Sequence, residues 1–311
     1  MTLPVLRTDD SWWLLRDDGA VRVDTAASTT AELLADRAAV EKARFGGEAV
    51  DLDTLALRSP VTAPCRVVAQ MTNFASHAAD AGFSPDKVPL TFFRKSSGSI
   101  SGPTDDVVRP GHVTLLDYEV EIGLVIGTEV PVGTDLSAAD LEDVVAALVI
   151  TNDVSARDLQ LPKTQFYESK SYPTFTPTGP ALVLLEPGEL SRFDELQLRL
   201  WVNDEIRQDM PASDMIYRPL ESLRALTGFQ RLDPGDLVLT GTPVGTALSA
   251  PPKIVEKVGA LLPPDLKWTI FFGKQAKNPA YLTPGDVVEI AIATPDGAID
   301  LGAQRTVVSQ G

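Results

Sequence analysis

Cysteine is almost absent: Cys65 stands alone in a chain of 311 residues. No intrachain disulfide can form, and no thiolate cage for a metal can be built. Histidine is nearly as scarce, with only His77 and His112, so a general base of that type has few candidates. Basic residues are outnumbered, 27 Lys and Arg against 43 Asp and Glu, for a formal charge of −16. Nucleic-acid and anionic-membrane surfaces need clustered Lys and Arg, so neither partner is expected. Long apolar runs are missing too. The longest, Val144 to Ile150, is far too short to span a bilayer. Met1 to Leu15 interrupts its apolar residues with Arg7, Asp9 and Asp10, unlike a signal peptide. The expectation is a cytoplasmic protein. With 44% hydrophobic residues the chain can bury a full core, as one large domain or two unequal ones.

Two units are expected. Residues 1–62 read as a small N-terminal α/β domain: Trp12 to Leu15 and Val21 to Val23 form a hairpin turning at Asp17-Asp18-Gly19, Thr30 to Ala43 has helical character, and Asp51 to Leu57 reads as a short strand. The turn-rich stretch from Arg58 to Pro64 marks the boundary. Residues 63–311 form the second unit. Its strands are expected at Arg66–Gln70, Thr91–Lys95, Asp117–Gly127, Ala147–Asp153, Ala181–Leu185, Gln197–Val202, Asp236–Thr240 and Asp286–Ile292. Helical patterns are fewer, at Leu136–Asp143, Ser155–Gln160 and Pro219–Thr227. They do not alternate with the strands, which disfavours a doubly wound sheet or a β/α barrel and favours an α+β domain rich in antiparallel sheet. Residues 249–278 show weak periodicity and read as a loop or arm over the site, or at a subunit contact.

The most informative stretch is Leu116-Asp117-Tyr118-Glu119-Val120-Glu121-Ile122. Acids alternate with bulky residues, so a β-strand puts Asp117, Glu119 and Glu121 on one face. Such alternation also builds the wet face of an ordinary antiparallel strand. Three neighbouring carboxylates repel one another, and an oxygen-loving divalent cation is the usual remedy. A second segment, Val149 to Asp153, ends an apolar strand on an acid and runs into Ser155-Ala156-Arg157-Asp158-Leu159-Gln160. Ligands are often mounted at such a strand end; the alternative is that Asp153 caps the short helix that follows.

Three further segments carry candidate chemistry. Glu168 to Pro180 sets Lys170 in a Pro- and Gly-rich frame, a shaped loop that can hold an ammonium against metal-bound oxygens, although most lysines are solvated surface charges. Leu239 to Gly245 is a small-residue turn after a strand. It lacks the lysine of a phosphate-binding loop, but its amides and the Thr242 hydroxyl can bind an anionic group. His77 and Asp80 are spaced i, i+3 on one helical face. There the carboxylate can fix the imidazole tautomer, or the two are an incidental surface pair. His112 reads as an ordinary turn residue.

Taken in order, these segments resemble the fumarylacetoacetate hydrolase family over roughly residues 65 to 311. Asp117-Tyr118-Glu119-Val120-Glu121 is similar to its acidic strand, and Asn152 to Gln160 to its second metal segment. Lys170-Ser171 with Phe175 and Gly179-Pro180 resembles its lysine loop, and Leu232 to Gly245 its C-terminal signature. The resemblance implies a mixed β-sheet roll, often a homodimer, binding Mg²⁺ or Mn²⁺ through Glu119, Glu121 and Asp153. Oxygen ligands suit Ca²⁺ as well. By the same resemblance Lys95, Arg157, Gln160, Lys170 and Thr242 line the substrate pocket, and His77 activates water.

Two features depart from the family pattern. Phe74 and Asp80 stand where many relatives have Tyr and Glu in an Asn-Tyr-x-x-His-x-x-Glu lid motif. Gln70 stands where animal fumarylacetoacetases carry a further acidic ligand, which leans towards bacterial, acylpyruvate hydrolase-like members. The expected function is metal-dependent hydrolysis of a C–C bond in a 1,3-dicarbonyl substrate such as a 2,4-dioxo acid. His77, oriented by Asp80, would activate water, and Lys170 would stabilise the enolate. The alternatives are decarboxylation, isomerisation or hydration of a 2-oxo acid on the same scaffold, or a non-catalytic binding protein that keeps the fold.

Overall fold

The computed structural model describes residues 2–163, 165–248 and 263–311. In chain order it begins with β1 (Leu3–Arg7), β2 (Trp12–Arg16), β3 (Gly19–Arg22), α1 (Thr30–Ala35), α2 (Arg37–Ala43) and β4 (Ala49–Val50). Next come β5 (Val67–Gln70), α3 (Ala75–Asp80), β6 (Phe92–Lys95), β7 (Val107–Arg109), β8 (Val120–Ile126), α4 (Leu141–Val144), β9 (Val145–Asn152), α5 (Arg157–Gln160) and β10 (Leu182–Leu184). The chain closes with β11 (Gln197–Val202), β12 (Glu205–Pro211), α6 (Pro219–Thr227), β13 (Leu237–Leu239), α7 (Pro264–Gln275), β14 (Val287–Ala293) and β15 (Asp300–Gln310).

Ten strands form one mixed sheet in the order β4-β3-β2-β1-β10-β9-β8-β13-β5-β6, and five form a second, β12-β11-β14-β15-β7. This is the α+β architecture expected from the sequence. Strand β8 is central because Val120-Glu121-Ile122-Gly123-Leu124-Val125-Ile126 is buried at every position, as strands covered on both faces are. One face carries Val120, Ile122 and Leu124 into a core shared with Leu198, Leu200, Ile290 and Ile292 of the second sheet. The other carries Val125, with Val149 of β9 and Leu237 of β13, into a cluster with Leu33 of α1 and Val40 of α2. Gly123 belongs at this crowded centre: a Cβ there would lie 2.8 Å from both Leu237 and Val149.

The N-terminal hairpin forms as expected, Arg16 facing Gly19 across its turn. It extends the main sheet, because β1 pairs antiparallel with β10, Leu3 facing Leu184. The single helix expected over Thr30–Ala43 breaks at Asp36 (φ −107°, ψ 41°). The Asp36 carboxylate accepts the Thr25 hydroxyl at 2.6 Å, a local bond that competes with the helix. Asp51–Leu57, expected as a strand, instead holds a 3₁₀ turn at Leu52–Thr54 capped by Asp51. The helix expected over Leu136–Asp143 shrinks to α4, because Ser137 folds onto Asp140 through its amide (2.7 Å) and its hydroxyl (2.6 Å). Of the weakly periodic stretch 249–278, residues 264–275 form α7, and 249–262 lie outside the described residues. No helix among the described residues is long and apolar enough to cross a membrane.

Candidate metal centre

The antiparallel register of β8 and β9 sets Val120 against Asn152 and Glu121 against Thr151. One step beyond the ladder, Asp153 N donates to Glu119 O at 2.8 Å. Side chains of one face recur every second residue, so Glu119, Glu121 and Asp153 converge. They offer one carboxylate oxygen each, all within 4.8 Å of one another. Their exposures are 5%, 1% and 0%.

Cations surround this cluster. Lys170 Nζ donates to Glu119 Oε2 and to Asp153 Oδ2, each at 2.6 Å. Lys95 donates to Asp153 and, at 2.8 Å, to the Phe175 carbonyl. Arg157 pairs with Glu119 through one nitrogen and with Asp117 through Nε at 2.8 Å. Four buried carboxylates (Asp117, Glu119, Glu121, Asp153) thus face three buried cations (Lys95, Arg157, Lys170). Glu121 is the acid left over, bonded by the Gly241 amide at 2.7 Å.

The electrostatics follow from this arrangement. Burial raises the Glu119 pKa, but Arg157 and Lys170 outweigh it and hold the group down at about 2. Burial, then the charges of Asp153 and Glu119, push Glu121 well above the usual carboxylate range. Burial lowers Lys95, against the pull of Asp153. Burial also acts to lower Lys170, but Asp153 and Glu119 outweigh it and the net direction is up.

Asp117 does not share the face of Glu119 and Glu121, contrary to the continuous strand expected over Asp117–Gly127. The strand is interrupted at Tyr118 and Glu119, and Asp117 instead pairs across to Ser155 in a separate short ladder. Its carboxylate accepts Arg157 Nε and the amides of Tyr118, Ala247 and Leu248, at 2.8 to 3.1 Å. Arg157 also donates to Gln160 Oε1 at 2.7 Å. Thr242, 4% exposed, sits beside Gly241 on the turn that bonds Glu121.

His77 and Asp80 both lie on α3, but the expected bond between them is not made at Nδ1. That nitrogen is buried without a hydrogen-bond partner, and Asp80 is exposed. Burial lowers the His77 pKa below its ordinary value, against the charge of Glu119. Gln70 is buried, its Oε1 accepting the Ser222 hydroxyl at 2.7 Å. Two supporting residues escaped the sequence reading: Asn152, whose Oδ1 accepts the Glu119 amide at 2.9 Å, and Gln208, which bonds both Val120 and Thr242. Asn152 lies inside a segment already singled out; Gln208 lies in a polar strand with no local signal.

An all-oxygen donor set, buried, with one acid left without a cation of its own, fits a hard divalent ion. A mixed-sheet fold presenting such a cluster is of the class that can hold an oxygen-ligated divalent metal. The family profile described as "Fumarylacetoacetate (FAA) hydrolase C-terminal" matches residues 66–309, and the chain belongs to this family. It is similar to the mitochondrial oxaloacetate tautomerase Fahd2a of Rattus norvegicus, 34% identical over 202 residues, 65% of this chain and 63% of that protein. The match therefore spans less than two thirds of that relative's length. It is also similar to the oxaloacetate tautomerase YisK of Bacillus subtilis (strain 168), 34% identical over 72% of this chain and 74% of that one. Among solved structures, a probable 2-hydroxyhepta-2,4-diene-1,7-dioate isomerase from Mycobacterium abscessus shares the fold with a TM-score of 0.76, 30% identity, and 100% and 99% of the two chains covered.

Proposed function

We propose that the chain catalyses enol–keto interconversion of a 2-oxo dicarboxylic acid of the oxaloacetate kind, at a centre that takes one Mg²⁺ or Mn²⁺. This departs from the C–C hydrolysis expected first and takes up the isomerase alternative. The observation that carries it is the convergence of Lys95, Lys170 and Arg157 on the Glu119 and Asp153 carboxylates. Three buried cations would thus stand near a developing enolate oxygen, the kind of charge they stabilise. C–C hydrolysis passes through an enolate as well, so the choice between the two leans on the relatives. The similarity to two oxaloacetate tautomerases supports the same choice.

Glu119, Glu121 and Asp153 would hold the cation, which would supply Lewis acidity when bound. Arg157, Gln160 and Thr242 hold the carboxylate end of the substrate. Lys170, kept cationic by Asp153 and Glu119, faces the enolate oxygen. His77, kept neutral by burial, takes the enol hydroxyl proton, and a proton returns to the adjacent carbon. No C–C bond breaks and no water is consumed.

C–C hydrolysis of an acylpyruvate is the second reading, favoured by one observation. His77 Nδ1 is buried and unpartnered, and a carboxylate brought to it would satisfy the atom and orient the ring to activate water. Parallel assays separate the two. Accelerated decay of enol-oxaloacetate, with acetylpyruvate left intact, is the result expected. Release of acetate and pyruvate from acetylpyruvate, without acceleration of the oxaloacetate reaction, overturns the tautomerase reading. Loss of the activity in His77→Ala then places the histidine in whichever reaction is found; unchanged turnover removes it.

A further inference from the structure

Gln208 lies on β12 in the second sheet and is 1% exposed. Its Oε1 accepts the Val120 amide at 3.0 Å, the peptide N–H between Glu119 and Glu121. Its Nε2 donates to Thr242 Oγ1 at 2.9 Å and to the Pro243 carbonyl at 2.8 Å. A peptide N–H only donates and a carbonyl only accepts, so the amide has one possible orientation. Both Nε2 protons are committed. Thr242 Oγ1 therefore accepts a hydrogen bond from Gln208 and directs its own O–H elsewhere, and no protein acceptor takes that O–H among the described residues. The turn can lie this close to β12 because residue 245 is glycine: at φ +109° a Cβ would meet the Arg207 carbonyl oxygen at 1.9 Å.

We propose that Gln208 is a positioning residue that sets the Thr242 hydroxyl as a hydrogen-bond donor to the carboxylate of the bound acid. The inference rests on the reading of Thr242 as a pocket residue. A free hydroxyl rotates to suit either a donor or an acceptor. A hydroxyl with one lone pair engaged by a fixed donor turns its O–H away from that donor and offers it to an acceptor, and an ionised carboxylate only accepts. The preset donor needs no reorganisation when the ligand arrives. Specificity for an anionic end is thereby written into a strand of the other sheet.

Oxalate, a two-carbon dicarboxylate, is the probe, titrated calorimetrically into Mn²⁺-loaded protein carrying Gln208→Met, Thr242→Val or both. Thr242→Val is expected to weaken oxalate roughly tenfold to a hundredfold, the range for a hydrogen bond to a charged group. Gln208→Met is expected to lose part of that, roughly three- to tenfold. The double variant should bind no more weakly than Thr242→Val alone, because Gln208 acts only through the hydroxyl. Mn²⁺ affinity without oxalate should match the wild type in every variant. Unchanged oxalate binding in Gln208→Met overturns the proposal, as do losses that multiply in the double variant. Lost Mn²⁺ binding in Gln208→Met does so too, since the residue would then be holding the strand and not the hydroxyl. Should Gln208→Met fail to fold, Gln208→Glu keeps the Val120 contact but turns the hydroxyl away, and the same comparisons apply. If Thr242→Val binds oxalate like the wild type, the pocket reading itself fails.

Discussion

Lys170 Nζ and Glu119 Oε2 lie 2.6 Å apart, buried together, with Asp153 at the same distance on the other side of the ammonium. The lysine thus shares its single charge between two of the acids proposed to hold the cation. Removing one partner of a buried pair leaves uncompensated charge and costs about 3–5 kcal/mol. Lys170→Met should therefore lower the melting temperature of metal-free protein and gain more than the wild type when Mn²⁺ is added. Turnover of oxaloacetate should fall roughly 10²- to 10³-fold, as when an oxyanion donor is removed. Melts with and without Mn²⁺ check the first claim; an equal gain in both proteins would sink it.

Glu121 predicts proton release on metal binding. Its pKa in the folded protein lies well above the usual glutamate value. The metal-free fold therefore loses stability as pH rises from the ordinary carboxylate range through that raised value. Below the raised value Glu121 carries a proton that a cation must displace. Mn²⁺ should bind more tightly as pH rises, and calorimetry in two buffers of different ionisation heat should show protons released. Glu119 has the opposite sign: held down at about 2, it contributes stability present above its unfolded value and lost as pH falls through about 2. Binding heats independent of buffer would remove Glu121 from the ligand set.

Asp117 and Glu119 are neighbours on the Arg157 guanidinium with different tasks. Glu119→Gln should abolish Mn²⁺ binding and turnover together. Asp117→Asn leaves all three metal carboxylates in place but loosens Arg157 and the amides of Ala247 and Leu248. Its Mn²⁺ affinity should stay measurable while turnover falls, by roughly 10- to 100-fold if it behaves as outer-shell partners do. Full activity in Glu119→Gln refutes the metal assignment.

Gly245→Ala tests the packing of the Thr242 turn. Its φ of +109° and the Arg207 carbonyl 1.9 Å from a built Cβ leave no room for a side chain. The turn must shift, at a cost of about 1–3 kcal/mol for the backbone conformation alone. Chemical denaturation should show this loss. Wild-type stability would mean the turn does not rest on β12.

The acidic segments of the site were legible because their chemistry is local. Glu119 and Glu121 are two apart in an alternating segment and Asp153 follows directly on an apolar strand, so each segment was readable by itself. That the two meet on one cation came from the family resemblance, and the pairing of β8 with β9 brings them together. Asp117 misled for the same reason: alternation extends the strand through Tyr118, but Asp117 collects Arg157 and three amides that only the folded chain supplies. The helix break at Asp36 and the short α4 turn on side-chain bonds that periodicity does not register. Strands β12 and β15 were not anticipated, since Glu205–Pro211 and Asp300–Gln310 are polar at many positions and owe their form to neighbours in the second sheet. Gln208 was invisible with them. Its role depends on two partners, 88 and 34 residues away.

The Asp153 amide and the Glu119 carbonyl are joined by a main-chain bond of 2.8 Å. The main chain therefore fixes the spacing of the two acid-bearing segments, and the proposed cation would meet a socket defined by strand pairing. Removal of a bound ion by a chelator is therefore expected to leave the pairing of β8 with β9 in place.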